Sequence, residues 1–194
     1  MVSLVFVWPY DLVFWAVLVW AFSPEFRIFW RRPAASARVQ DAGSMKVIGI
    51  LQPLAVVLAF TAANTAKSAA LPHQAWLFWP GVAALVLGSL LRRHCFRMLG
   101  ASFTGAVAAR PDQVVVERGA YRYVRHPSYT AGLILFLGIG LALGNALGLL
   151  ALMVLTAVSY WYRVAVEERV LEATIGDPYR SYMRRTKRFV PFVF

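Results

Sequence analysis

The segment from Gly119 to Tyr129 gathers polar and aromatic side chains at the start of a long apolar run. It holds three tyrosines, two arginines, one histidine and one serine. Pro127 suits the first turn of a helix, so His126 is expected beside a helix N-terminus with unpaired backbone N–H groups. Such a terminus can bind a polar group of a ligand. A membrane-interface belt would explain the Tyr and Arg residues well and His126-Pro127 followed by Tyr129 less well, so the pattern favours a binding site.

A second group of chemical residues comprises Arg163, Glu167 and Glu168, at the end of the last apolar run. Arg163 and Glu167 are four residues apart and therefore share one face of a helix. An ordinary surface ion pair is the alternative, and such pairs contribute little to stability. Ionisable groups close to an intramembrane segment are candidates for function, which favours a site.

A third group lies near the C-terminus, where Tyr179 and Tyr182 are followed by Arg184 and Arg188. The apolar ending 189–194 could dock back onto a membrane. From the sequence, an interfacial anchor and a part of a substrate site are equally good interpretations of this group.

The elements that position these groups are predicted to be membrane helices. The chain has 194 residues, of which 60% are hydrophobic and only 15% charged, and its mean hydropathy is +0.60. About 20 apolar residues cross a bilayer as a helix. Residues 4–22 and 47–66 meet that length, and 75–91 is near the lower limit. No positive charge precedes the first run, so we expect a retained helix rather than a signal peptide.

The apolar run 131–162 is too long for one membrane helix and short for two. Gly144-Asn145 in its middle is a turn signal. A single crossing would also place the basic C-terminal residues outside, against the positive-inside rule. We therefore predict a helical hairpin, 131–143 and 146–162, continued by an amphipathic segment to about Ile175 and ended by Gly176-Asp-Pro178.

The basic residues predict the orientation in the membrane. All except Lys67 fall in three polar stretches, which we expect to be cytoplasmic: Arg27, Arg31, Arg32, Arg38 and Lys46; Arg92, Arg93, Arg97, Arg110, Arg118, Arg122 and Arg125; Arg163, Arg169, Arg180, Arg184, Arg185, Lys187 and Arg188. The resulting fold class is an all-α, polytopic membrane protein of five transmembrane helices. We expect it in the cell (inner) membrane, with the N-terminus outside and the C-terminus in the cytoplasm.

Composition also argues against several functions. The net charge of +11 is explained by arginines at the membrane face that contact anionic lipids, so we expect no nucleic-acid partner. The single cysteine, Cys95, cannot form an internal disulfide, and no Cys/His spacing indicates a metal site. We expect one domain over residues 1–194, with three helices in 1–91 and a cofactor loop, hairpin and C-terminal segment in 92–194.

Taken together, the three groups resemble the isoprenylcysteine carboxyl methyltransferase family and the related membrane phospholipid methyltransferases. The resemblance rests on the order of four motifs: Gly-x-Tyr-x-x-x-Arg-His-Pro-Ser-Tyr, an apolar hairpin, Arg-x-x-x-Glu-Glu-x-x-Leu, and Gly-Asp-x-Tyr-x-x-Tyr. It covers residues 114–191. The chain departs from the family in the place of Gly132 and in residues 102–110, where the polar pattern that usually precedes the cofactor segment is hard to find.

The resemblance implies that S-adenosyl-L-methionine binds at the cytosolic end of the helices and leaves as S-adenosyl-L-homocysteine. It assigns cofactor contacts to Gln113, Val114, Val115, Val116, Tyr121, His126, Pro127, Ser128, Tyr129 and Glu167. It assigns the substrate to Arg163, with Arg125 as a second contact, and catalysis to Arg163 and Glu167. The partners it implies are membrane lipids and a lipidated or lipid-like small-molecule acceptor.

The expected reaction is carboxylate O-methylation of an isoprenylcysteine-type acceptor, which needs little acid–base chemistry because the acceptor is already ionised. A phospholipid amine N-methyltransferase is the first alternative, and it needs a base such as Glu168. An NADPH-dependent sterol-type reductase is the second, because those enzymes share a His-Pro-x-Tyr-like segment. A membrane scaffold without a cofactor is the third, and it leaves the co-occurrence of the motifs unexplained.

Overall fold

The fold, obtained as a computed structural model, is helical. The structure describes residues 2–29, 38–100, 107–109 and 113–189. Its helices are α1 (Tyr10–Phe29), α2 (Ser44–Thr65), α3 (Gln74–Leu99), α4 (Pro127–Leu143), α5 (Ala146–Ile175) and α6 (Asp177–Arg185), with short 3-10 turns at Leu4–Phe6, Lys67–Ala69 and Gly119–Arg122. Two-residue strands, β1 (Arg38–Val39) and β2 (Ala108–Ala109), pair antiparallel. The prediction of a helical fold is confirmed.

Three helices, α2, α3 and α5, are long and apolar enough to cross a membrane by length and composition. α4 is apolar but has only 17 residues, and α1 has 20. The chain is thus an integral membrane protein, while a total of five crossings stays a prediction. The hairpin is confirmed, since α4 and α5 are separated only by Gly144 and Asn145.

Two helices differ from the sequence prediction by several residues. The first helix covers Tyr10–Phe29 rather than 4–22, because the chain around Pro9 is not helical and the helix continues through Pro24. The third ends at Leu99 rather than at 91, so Arg92, Arg93 and Arg97 lie on α3 and not in a loop. Partners from other helices hold this charged turn, because Arg92 pairs with Glu25 and Arg93 donates to the Trp20 carbonyl.

The helices pack as close pairs, α3 along α4 and α2 along α5. A Cβ atom on Gly81 of α3 would lie 2.6 Å from the backbone nitrogen of Ala142, and one on Gly138 would lie 2.7 Å from the Gly81 carbonyl. Small residues let two helix backbones touch in this way, which is how membrane helices associate in the absence of a hydrophobic driving force. The close α3–α4 contact fixes where α4 begins.

The turn between α4 and α5 is tied to α2 at the end of the bundle opposite to the polar motifs. Gly144 adopts a left-handed φ of 64°, and the Asn145 side chain accepts a bond from the Gly148 N–H. The Asn145 Nδ2 donates to the carbonyls of Ala62 and Ala66, at 3.2 and 3.0 Å. These bonds set the register of the hairpin, and therefore the height of every α5 residue above the turn.

Candidate functional site

The site lies where the start of α2, the end of α3, the start of α4 and the second half of α5 meet. Arg163 is about 26 Å along α5 from Ala146, at ~1.5 Å per residue, so the site lies far along the bundle from the turn between α4 and α5. An open cavity of about 840 Å³, mouth included, is found here.

The cavity brings together the residues that the sequence singled out. Eleven of the twelve predicted site residues line it: Gln113, Val114, Val115, Val116, Tyr121, Arg125, His126, Ser128, Tyr129, Arg163 and Glu167. The twelfth, Pro127, is the buried first residue of α4. Leu99, Val107, Leu171, Ile175, Tyr179 and Tyr182 complete the lining.

The start of α4 is held by the chain that follows α6. Val124 forms a parallel bridge with Lys187. The backbone N–H of Arg125 donates to the Lys187 carbonyl at 2.7 Å, and that of His126 to the Arg188 carbonyl at 3.0 Å. The segment after α6 therefore holds the start of α4 in place. Residues 190–194 lie outside the described part of the chain, so both sequence-based alternatives for the C-terminal ending stay predictions.

Glu168 is the centre of a buried ionic cluster behind the cavity. Its Oε1 accepts from Arg125 Nε at 2.8 Å and lies 3.2 Å from His126 Nε2, while its Oε2 accepts from Arg188 Nη2 at 2.7 Å. Arg125 also donates to the carbonyls of Met183 and Thr186. The cluster fastens α5, the start of α4 and the C-terminal segment to one another.

We expect Glu168→Gln to lower stability strongly, because the change leaves Arg125, whose side chain is 9% exposed, without its carboxylate. Removing one partner of a buried ion pair typically costs about 3–5 kcal/mol. Thermal unfolding of the detergent-purified protein measures the effect. The matched control is Glu172→Gln, whose exposed carboxylate pairs with Arg180, and it should move Tm by less than a third as much. Equal shifts for the two variants would contradict the role given to Glu168.

Arg163 forms a second cluster, at the floor of the cavity, and is only 5% exposed. Its Nη1 donates to Asp41 and, at 2.8 Å, to the Ser44 hydroxyl, and its Nε donates to the Tyr129 hydroxyl at 3.2 Å. Tyr129 in turn donates to Glu167 Oε2 at 2.8 Å. The two predicted catalytic residues are thus linked through one tyrosine.

Asp41 is a site residue that the sequence analysis missed. Burial alone would raise the pKa of its carboxyl, but bonds from the N–H groups of Met45 and Val107 and the charge of Arg163 outweigh burial and lower that pKa. Asp41 is therefore ionised at neutral pH. The signal available in the sequence was Asp41-Ala-Gly-Ser44 before an apolar run, which is typical of a helix start and gave no hint of a partner 122 residues away.

Three tyrosines form an aromatic part of the wall, beside aliphatic residues. The hydroxyl of Tyr182 donates to the Tyr121 carbonyl at 2.7 Å, which fixes the 3-10 turn against α6. Burial raises the pKa of Tyr121, Tyr179 and Tyr182 well above the ordinary value of a phenol, so all three are neutral. Neutral aromatic rings around a partly apolar cavity suit the flat heterocycle of a nucleoside-containing ligand.

Comparison with known proteins places the chain in a family. The family model described as phospholipid methyltransferase matches residues 76–177, which is more than half of the chain and includes both Arg163 and the His126–Pro127 motif. The chain belongs to the phospholipid methyltransferase family. The family resemblance identified from the motifs is thereby confirmed.

Curated relatives carry a more specific name. The chain is 32% identical over 120 residues to protein-S-isoprenylcysteine O-methyltransferase B of Arabidopsis thaliana, covering 61% of each chain. It is 33% identical over 111 residues to the protein-S-isoprenylcysteine O-methyltransferase of Schizosaccharomyces pombe, covering 56% of this chain and 47% of that one. The chain thus spans about half to three-fifths of the length of these relatives.

One solved structure matches nearly the whole chain of this family member. It is the eukaryotic intramembrane Ras methyltransferase ICMT, with a TM-score of 0.70 at 21% identity, over 98% of this chain and 70% of that one. At this identity the match shows a shared fold. The first three helices, which the motifs did not cover, belong to that fold as well.

Proposed function

We propose that this protein is an S-adenosyl-L-methionine-dependent methyltransferase that methylates the carboxylate of a membrane-embedded acceptor of the isoprenylcysteine type. The observation that carries the proposal is the pairing of Arg163 and Glu167 through Tyr129 on the floor of a single cavity at one end of a membrane bundle. One cation for an anionic acceptor then stands one helical turn from one carboxylate for a cationic cofactor.

The groups that line the cavity fit this cofactor. Its polar groups include the Glu167 carboxylate, whose side chain is 29% exposed, and the non-helical backbone of residues 113–116. Tyr121 and Tyr179 offer aromatic surface for the adenine. When bound, the cofactor supplies a methyl group on a sulfonium, whose carbon–sulfur bond breaks with its electron pair left on sulfur as the new oxygen–carbon bond forms. The described residues contain no cluster of metal ligands, and the absence of a metal stays a prediction.

The protein's own groups would act by binding and orientation. Arg163 would hold the acceptor carboxylate, and Tyr129 would fix both the guanidinium and Glu167 in place. Correct alignment of two reactants can contribute several kcal/mol to the barrier of such a transfer. We give Arg125 a positioning role, since its Nε and Nη1 are bonded to Glu168 and to backbone carbonyls.

N-methylation of a phospholipid amine is the second candidate, and the description of the matching family favours it. That reaction needs a base to keep the amine neutral. Glu168, the base that the sequence suggests, is bonded to Arg125 and Arg188 behind the cavity, so a proton is disfavoured on it. Arg163 beside an amine is also unfavourable unless it binds the lipid phosphate. Carboxylate methylation is therefore preferred.

The test is calorimetric titration of the detergent-purified protein with S-adenosyl-L-homocysteine and, separately, with NADPH. The proposal expects saturable binding of S-adenosyl-L-homocysteine and none of NADPH. NADPH binding alone would move the chain to the reductases, and binding of neither would favour a scaffold. Transfer of labelled methyl to N-acetyl-S-farnesylcysteine or to phosphatidylethanolamine then separates O- from N-methylation.

The orientation is proposed from charge alone. The site end of the bundle carries Arg97, Arg118, Arg122, Arg169 and Lys187, and the opposite end carries Lys67. By the positive-inside rule this end faces the cytoplasm, with the N-terminus outside. A reporter enzyme fused to the C-terminus and active only in the cytoplasm should be active; a silent but intact fusion would reverse the topology.

A further inference from the structure

The Asp41 carboxylate already accepts a hydrogen bond from Arg163, the arginine that the proposed function assigns to the acceptor carboxylate. We propose that Asp41 is a positioning residue that weakens the attraction between Arg163 and the acceptor carboxylate. The acceptor is then bound loosely enough to react. This inference rests on the proposed function. It assigns to Asp41 a role in the balance between binding and turnover rather than in binding itself.

Asp41 is held in place by groups other than Arg163. Its Oδ2 accepts from the Met45 N–H at 2.8 Å, and its Oδ1 accepts from the Val107 N–H at 3.2 Å and the Ser44 hydroxyl at 3.0 Å. Three donors from the start of α2 and from the residue before β2 therefore fix the carboxylate. Asp41 stays beside Arg163 when an acceptor enters.

The Asp41 carboxylate keeps its negative charge at neutral pH. The pKa of Asp41 is lowered below its ordinary value despite burial. A carboxylate with a lowered pKa loses its charge only as the pH falls through that lower value, well below neutrality. Arg163 therefore presents itself to the cavity already paired, in a region where neither side chain is much exposed, at 6% and 18%.

The acceptor carboxylate loses its negative charge during methyl transfer. Its carboxylate carries a full negative charge when it binds, loses part of it in the transition state and has none in the ester. An attraction that is stronger for the ground state than for the transition state slows the chemical step. An unpaired buried arginine would exert such an attraction, and an arginine paired with Asp41 exerts less of it.

The test compares wild type with Asp41→Asn, which removes the charge; its single amide oxygen can accept from the Val107 N–H or from the Met45 N–H, but not from both as the two carboxylate oxygens do. We expect KM for N-acetyl-S-farnesylcysteine to fall about five- to twenty-fold and kcat to fall by a similar factor, so that kcat/KM changes little. A purely structural role predicts a higher KM or a lower kcat/KM. Either of those results would overturn the inference.

A second readout uses no cofactor. The affinity of the protein for the farnesylated acid and for its uncharged amide is measured by calorimetry. Asp41→Asn should bind the acid about five- to twenty-fold more tightly than wild type and the amide equally well. Unchanged or weakened acid binding overturns the proposal, and wild type that binds neither compound refutes the proposed function and this role with it.

Two further variants complete the design. Asp177→Asn makes the same chemical change at a carboxylate with a 92% exposed side chain on α6, and it should leave every readout unchanged. If Asp41→Asn does not fold, Asp41→Ser replaces it, since a serine hydroxyl also accepts backbone N–H bonds near a helix start. The same tightening for the acid alone is expected of that variant.

Discussion

Arg163→Ala is expected to lower kcat/KM for a carboxylate acceptor by about 10–100-fold, since a hydrogen bond to a charged group contributes about 1.5–3 kcal/mol and Arg163 also aligns the acceptor. Affinity for S-adenosyl-L-homocysteine should change by less than threefold, because Glu167 and Tyr129 remain. The variant leaves Asp41 facing the acceptor without its cation, so repulsion adds to the loss. Methyl-transfer kinetics and calorimetry on the same preparation measure both effects.

Two controls make this result specific. Arg163→Lys keeps the charge, but an ammonium cannot reproduce the planar guanidinium's simultaneous bonds to Tyr129, Ser44 and Asp41, so an intermediate rate is expected. Arg180→Ala removes an exposed arginine from α6 and should leave the rate unaltered. Full turnover by Arg163→Ala would exclude Arg163 from the mechanism, and loss of cofactor affinity would reassign it to cofactor binding.

Glu167→Ala is expected to weaken cofactor binding by about 10–100-fold, since a hydrogen bond to a charged group contributes about 1.5–3 kcal/mol. Glu167 is the partly exposed carboxylate of the cavity floor, with one oxygen bonded to Tyr129. Binding should be measured with both S-adenosyl-L-methionine and S-adenosyl-L-homocysteine. A larger loss for the first places Glu167 at the sulfonium, whereas an equal loss places it at the amino group that both ligands carry.

The control for this variant is Glu172→Ala, a carboxylate on the same helix that is bonded to Arg180 and does not line the cavity. Its cofactor affinity should equal that of wild type. Undiminished affinity of Glu167→Ala for both ligands would contradict the role assigned to Glu167.

The hairpin and its break points followed from local rules. Gly144-Asn145 marked the turn, and Gly176-Asp-Pro178 marked the end of α5 at Ile175, and both agree with the structure. These signals work because each depends on a few neighbouring residues: a left-handed glycine, an asparagine that caps the next helix, and a proline in a first turn.

Local rules failed where distant partners decide. Arg92 lies in α3 rather than in a loop because Glu25 of α1 and the Ser128 carbonyl of α4 accept its hydrogen bonds. The hydropathy pattern predicted that the helix ends before the first arginine, because charged side chains are usually exposed to solvent. A charged side chain that is paired inside the bundle does not follow this pattern.

The membrane class and the hairpin follow from composition, apolar run length and turn residues, all of which are local properties of the chain. The family and eleven of the residues that line the cavity came instead from a resemblance carried by four motifs in residues 114–191. Only the tertiary structure separated the neighbours Glu167 and Glu168, turning one toward the cavity and the other into an ionic cluster behind it. It alone brought Asp41 to Arg163, because a contact across 122 residues depends on how helices pack and leaves no local pattern.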